Sequence, residues 1–119
     1  MIKVLVIEDD SAIASMLSDT LGITGYEVIL ANSGREGLAR AEEMSPDIIT
    51  LDLNMPGMDG FKVLESLKNN QNTSGIPVII TTVSENEKDM RKSYRLGARK
   101  YIVKPFPAEV LRETINEFV

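Results

Sequence analysis

The stretch Asp47-Ile48-Ile49-Thr50-Leu51-Asp52-Leu53-Asn54-Met55-Pro56-Gly57-Met58-Asp59-Gly60 decides the fold. Ile48, Ile49 and Leu51 make the short apolar run expected of a strand buried on both faces, and it stops on a carboxylate, Asp52. Asn54, Pro56 and Gly57 are turn formers. Asp59 is placed to cap a helix that carries Phe61, Leu64 and Leu67. The stretch therefore reads as strand, turn and helix.

The same unit recurs on both sides. Towards the N-terminus, Val4 to Ile7 is an apolar strand that ends abruptly in Glu8-Asp9-Asp10. Ile13, Met16, Leu17 and Leu21 then recur at helical spacing, with Asp10 or Ser11 as cap and Gly22 and Gly25 as the stop. Tyr26 to Leu30 is a second strand, and Ser33 with Glu36 forms a capping box for a helix to about Met44, before Pro46. Towards the C-terminus, Asn69 to Gly75 is a polar loop, and Val78-Ile79-Ile80 is a strand running into Thr81-Thr82. A mostly polar helix follows from about Glu85 to Leu96, with Gly97 ending it. Tyr101-Ile102-Val103 is the fifth strand, ending at Lys104-Pro105, and Val110, Leu111, Thr114, Ile115 and Phe118 give the last helix its apolar face.

This order is (βα)₅, without repeat or linker, so residues 1–119 read as one domain. Such alternation demands a doubly wound parallel sheet with right-handed crossovers and helices on both faces. Ligands of these α/β folds sit beyond the carboxyl ends of the strands, near the point where strand order reverses. Glu8-Asp9, Asp52, Thr82 and Lys104 each end a different strand.

Composition limits the chemistry open to them. The chain has no cysteine, histidine or tryptophan, which excludes disulfides, zinc fingers, thiol catalysis and histidine-based triads. Carboxylates, hydroxyls, lysine and hard cations remain. A formal net charge of −5 argues against direct nucleic-acid binding. The apolar opening run is too short for a signal peptide or membrane insertion, so the expected location is cytoplasmic.

Glu8, Asp9 and Asp52 brought to one edge would repel and require a cation, and oxygen donors select Mg²⁺ or Mn²⁺. Asp52 is then a nucleophile suited to phosphorus, Lys104 a point charge for a phosphoryl oxygen, and Thr82 a hydroxyl donor. Singly, each has an ordinary explanation. Asp9 and Asp10 serve as helix caps, Asp52 as a loop acid, Thr82 as a strand residue and Lys104 as a surface charge. Their coincidence at the ends of four strands favours a phosphoryl-binding site.

These residues resemble the receiver domains of two-component response regulators. The motifs that carry the likeness are residues 4–10, 47–60, Ile76-Pro77-Val78-Ile79-Ile80-Thr81-Thr82 and Gly97-Ala98-Arg99-Lys100-Tyr101-Ile102-Val103-Lys104-Pro105-Phe106, in order and nearly spanning the chain. The resemblance implies a flavodoxin-like fold with strand order 2-1-3-4-5. It implies that Asp52 is the phosphoacceptor and that Mg²⁺ is held by Asp9, Asp52 and the Asn54 backbone carbonyl, with Glu8 acting through water. It makes Thr82 the switch hydroxyl, Tyr101 the aromatic that turns inward with it, and Lys104 the family lysine, before a commonly cis proline bond. Asn54 and Ser84 fall where the family tunes dephosphorylation. One departure is Val83, where the family usually has a small residue; its bulk is expected to narrow access to the site.

The donor is then a sensor histidine kinase or phosphotransfer protein, and the output a downstream protein partner. The domain regulates and is no enzyme beyond its own phosphorylation and dephosphorylation. Arg91, Arg95, Arg99, Lys100 and Tyr101 are the candidate partner face, although a solvated helix face explains the same charges. The chain reads as a stand-alone regulator or a piece of a longer one. Three other readings stay open at this point. They are a receiver that never takes phosphate, a small aspartyl-phosphate phosphatase, which would want an aspartate where Asn54 stands, and a flavin module, whose phosphate Glu8-Asp9-Asp10 would repel.

Overall fold

The computed structural model describes all residues from Met1 to Val119. Five strands, β1 (Lys3–Ile7), β2 (Glu27–Ala31), β3 (Ile48–Asp52), β4 (Val78–Thr82) and β5 (Lys100–Val103), form one parallel sheet in the order β2-β1-β3-β4-β5. Five helices alternate with them: α1 (Ser11–Ile23), α2 (Gly34–Met44), α3 (Gly60–Asn69), α4 (Glu87–Arg95) and α5 (Ala108–Asn116). The expected fold and strand order are both present.

Strand alternation divides the interior in two. Leu5, Ile7, Ile49, Leu51, Val78 and Ile80 point to one side, where they pack with Val63, Leu64 and Leu67 of α3. Val4, Val6, Ile48 and Ile79 point to the other, against Leu17 and Leu21 of α1 and Leu111 and Ile115 of α5. Each such side chain contributes about 1.5–3 kcal/mol by leaving water. β1 and β3 are buried along nearly their whole length, which explains their unbroken apolar runs.

The caps act where the sequence put them. Asp10 Oδ1 accepts from the N–H groups of Ala12 and Ile13, Ser33 Oγ from Glu36 and Asp59 Oδ1 from Phe61. Gly60 must be glycine, because a Cβ there would lie 2.6 Å from the Cα of Leu53. That close approach folds the β3–α3 loop back over the strand end.

Some boundaries differ from expectation. α1 runs through Gly22 to Ile23, and only Gly25, at φ 92°, acts as a stop. α4 begins at Glu87, not Glu85, because the Asn86 side chain accepts from the Lys88 N–H and so caps it there. Val110 is 40% exposed and Phe118 lies beyond the end of α5, leaving Leu111, Thr114 and Ile115 as the buried stripe. No helix is long and apolar enough to cross a membrane.

Candidate functional site

β1 lies between β2 and β3, so strand order reverses there, and the crevice falls at the carboxyl ends of β1 and β3. Glu8 and Asp9 leave β1 at that edge and Asp52 ends β3. One carboxylate oxygen from each of the three lies within 4.8 Å of the other two, Glu8 and Asp52 being buried and Asp9 exposed. A cleft of about 450 Å³ opens beside Glu8 and Asp9, past Ser11, Ser15 and Asn32.

Lys104 reaches this edge from the end of β5. Its Nζ donates to Glu8 Oε1 at 2.7 Å and lies 3.3 Å from Asp52 Oδ2. The strand end is anchored by the Lys104 N–H, which donates to the Thr82 carbonyl at 2.7 Å, and the Lys104-Pro105 peptide is cis. The one ammonium thus pairs with Glu8 and Asp52 but not with Asp9, and the edge keeps an excess of negative charge. Burial, opposed by the Lys104 hydrogen bond and reinforced by Asp52, pushes the Glu8 carboxyl up to about 7. Burial also works against the Lys104 ammonium, but hydrogen bonding to Glu8 and the charge of Asp52 outweigh it and hold its pKa above the ordinary lysine range. The excess charge and the all-oxygen donor set suit a hard divalent cation.

Facing the carboxylates, Thr82 ends β4 and is fully buried. Its hydroxyl donates to Asn54 Oδ1 at 2.6 Å, and the Val83 N–H donates to the same oxygen at 3.0 Å. The Asn54 N–H donates to Asp52 Oδ1 at 2.9 Å. Val83 is 64% exposed, so its side chain stands largely in solvent at the rim.

Thr82 and Tyr101 are joined through Ser84. The Ser84 N–H donates to Thr82 Oγ1 (3.1 Å), the Tyr101 hydroxyl donates to the Ser84 carbonyl (3.0 Å), and the Ser84 hydroxyl donates to Asp89 Oδ2 on α4 (2.6 Å). This hub was not assigned from the sequence beyond a family position; a serine two residues before Asn86, the helix cap, was the available signal. The role of the Asn54 carboxamide carries no such local signal, because its partners at the end of β4 are 28 and 29 residues away in sequence.

The basic residues around α4 have different neighbours. Arg91 pairs with Glu87 at 2.7 Å, Lys92 lies over the Phe61 ring at 4.4 Å, and Arg99 lies over the Phe118 ring at 5.1 Å. Arg95 is exposed, while Lys100 and Tyr101 are half-buried on β5.

A family model described as "Response regulator receiver domain" matches residues 4–116. The chain is 37% identical over 116 residues to protein PilH of Pseudomonas aeruginosa, covering 98% of this chain and 96% of PilH. It is 38% identical over 109 residues to the alkaline phosphatase synthesis transcriptional regulatory protein PhoP of Bacillus subtilis, covering 91% of this chain but 45% of PhoP. The chain thus spans nearly all of one relative and about half the length of the other. The solved structure of the chemotaxis protein CheY4 of Vibrio cholerae superposes with a TM-score of 0.94 at 34% identity, covering 100% of this chain and 99% of CheY4. The protein belongs to the response regulator receiver family of two-component signalling, and its role is regulatory.

Proposed function

We propose that residues 1–119 work as one phosphorylation-driven receiver in which Asp52 accepts the phosphoryl group. The observation that carries this is the setting of Asp52, a buried carboxylate held by the Asn54 N–H and Lys104 beside Glu8 and Asp9. One Asp52 oxygen attacks phosphorus on a phosphohistidine of a sensor kinase or phosphotransfer protein. The O–P bond forms as the P–N bond breaks, and the electron pair leaves with the imidazole. Lys104, already between Glu8 and Asp52, pairs with a phosphoryl oxygen as charge accumulates. The hydroxyl of Thr82 supplies a hydrogen bond to another.

The three clustered carboxylates support a site for Mg²⁺, with Mn²⁺ as the alternative, held by Asp9, Asp52 and the Asn54 carbonyl, with Glu8 acting through water. When bound, such a cation neutralises the excess negative charge and helps align donor with nucleophile. The path from Thr82 through Ser84 to Tyr101 and Asp89 supports an output at α4 and β5, where Arg91, Arg95, Lys100 and Tyr101 meet a downstream protein. Arg99 belongs to that face only if it leaves Phe118. Hydrolysis of the aspartyl phosphate by water resets the domain.

Intact-mass measurement after incubation with acetyl phosphate tests the assignment. One phosphoryl adduct that requires Mg²⁺ and disappears in Asp52→Asn is expected. An adduct that survives in the variant would place the acceptor elsewhere, and none in the wild type would favour a receiver that works without phosphate.

A further inference from the structure

Asn54 faces two ways. Its main chain bonds the carboxylate of Asp52, while its side-chain oxygen reaches β4 and takes both the Thr82 hydroxyl, at 2.6 Å, and the Val83 N–H, at 3.0 Å. Oxygen rather than nitrogen must face β4, because a peptide N–H can only donate. Two donors converging on one oxygen beside a nucleophilic carboxylate is the arrangement that suits an oxygen of a bound anion. Here the carboxamide holds it.

A hydroxyl has one proton. Thr82 Oγ1 already accepts from the Ser84 N–H, and its proton goes to Asn54, so it has none to give to a phosphoryl oxygen without releasing the carboxamide. Asn54 itself is exposed and has room to turn away without repacking the core. Release would be felt further off, because Ser84, bonded to Thr82, also receives the Tyr101 hydroxyl and donates to Asp89 of α4.

We infer that the Asn54 carboxamide is a built-in competitor of the phosphoryl group, a latch that occupies the Thr82 and Val83 donors at rest and must swing off before they can hold phosphorylated Asp52. The inference rests on Asp52 being the acceptor. It makes Asn54 a positioning residue that sets a threshold. The charge-assisted bonds to a phosphoryl oxygen are about twice as strong as the neutral bonds they replace, so the exchange still runs forward, with a reduced gain. The Asn54 main chain is separate from this role and is retained in any substitution.

The test compares wild type, Asn54→Ala and Asn54→Asp. Two readouts are used: exchange of the Val83 amide in the free proteins, and titration of wild type and Asn54→Ala with beryllofluoride, an aspartyl-phosphate mimic, in Mg²⁺. In Asn54→Ala the Val83 amide should exchange about 10-fold faster and the mimic should bind about 5- to 10-fold tighter. Asn54→Asp keeps an acceptor oxygen and should restore slow exchange, which a merely structural role for the side chain would not require. Unchanged Val83 exchange in Asn54→Ala, fast exchange in Asn54→Asp, or a mimic affinity in Asn54→Ala equal to or weaker than wild type overturns the latch and leaves the acceptor assignment standing. A wild type that binds Mg²⁺ but no mimic overturns the acceptor assignment, and the latch with it.

Discussion

Helices α3 and α4 are of similar length, 10 and 9 residues, yet they are held in opposite ways. α3 buries Val63, Leu64 and Leu67 in the larger core cluster. α4 buries only Ser93, whose hydroxyl is spent on the Asp89 carbonyl one turn back. Apart from Leu96 at its C-cap, which packs against the larger core cluster, what moors α4 is polar: the Ser84–Asp89 hydrogen bond, the Asn86 cap and Lys92 over Phe61. Apolar anchors are worth about 1.5–3 kcal/mol each, and neutral hydrogen bonds about 0.5–1.5. The helix after Asp52 therefore keeps the β3–α3 loop fixed, and the helix after Thr82 is the one a small change at the site can shift.

The contrast can be broken at several points. The largest effect is expected at the acceptor: Asp52→Asn should abolish the phosphoryl adduct in intact-mass spectra while leaving the fold intact. Next, Leu64→Ala should cost about 3–4 kcal/mol in urea unfolding, whereas Tyr94→Ala on α4, 43% exposed, should cost less than about 1. Equal costs would remove the distinction between the helices.

Lys104→Met strips the acidic edge of its one ammonium and should cost about 2 kcal/mol without Mg²⁺. That is below the value for a sealed ion pair, because Glu8 can take up a proton instead. The pH dependence has a definite sign. With its pKa raised from 4.5 to about 7, Glu8 binds a proton in the folded protein that the unfolded chain has released. Stability of the Mg²⁺-free protein should therefore fall as pH rises across that window, and thermal melts of Glu8→Gln should lose that slope. The smallest effect belongs to Lys92→Ala, about 0.5–1 kcal/mol from losing the Phe61 contact, seen as faster amide exchange in α4 before any change in global melting.

The parts legible in the sequence were those set by local chemistry. Val4 to Ile7 and Ile48 to Leu51 read as strands because burial on both faces removes alternation, and the caps Asp10, Ser33 and Asp59 read correctly because a side-chain oxygen serves amides two or three residues on. The meeting of Glu8, Asp9, Asp52 and Lys104 followed from strand ends sharing one edge of a parallel sheet. Side-chain direction was not legible. Arg91, Arg95, Arg99 and Lys100 read equally as a partner face or a solvated one, and nothing in the spacing reveals that Arg99 turns to Phe118 or Lys92 to Phe61. Asn54 and Ser84 were opaque for a related reason: each side chain or carbonyl meets a partner brought close only by folding, Thr82 for Asn54 and Tyr101 for Ser84.

Amide hydrogen exchange before and after incubation with acetyl phosphate and Mg²⁺, on wild type and Asp52→Asn, tests the central claim most directly. The expected result is a change at the site itself, around residues 8–9 and 52–54, that extends through residues 82–104, with residues 60–69 unaltered and no phosphoryl-dependent response in the variant. A response spread evenly over both helices, or one of the same size in Asp52→Asn, would contradict it.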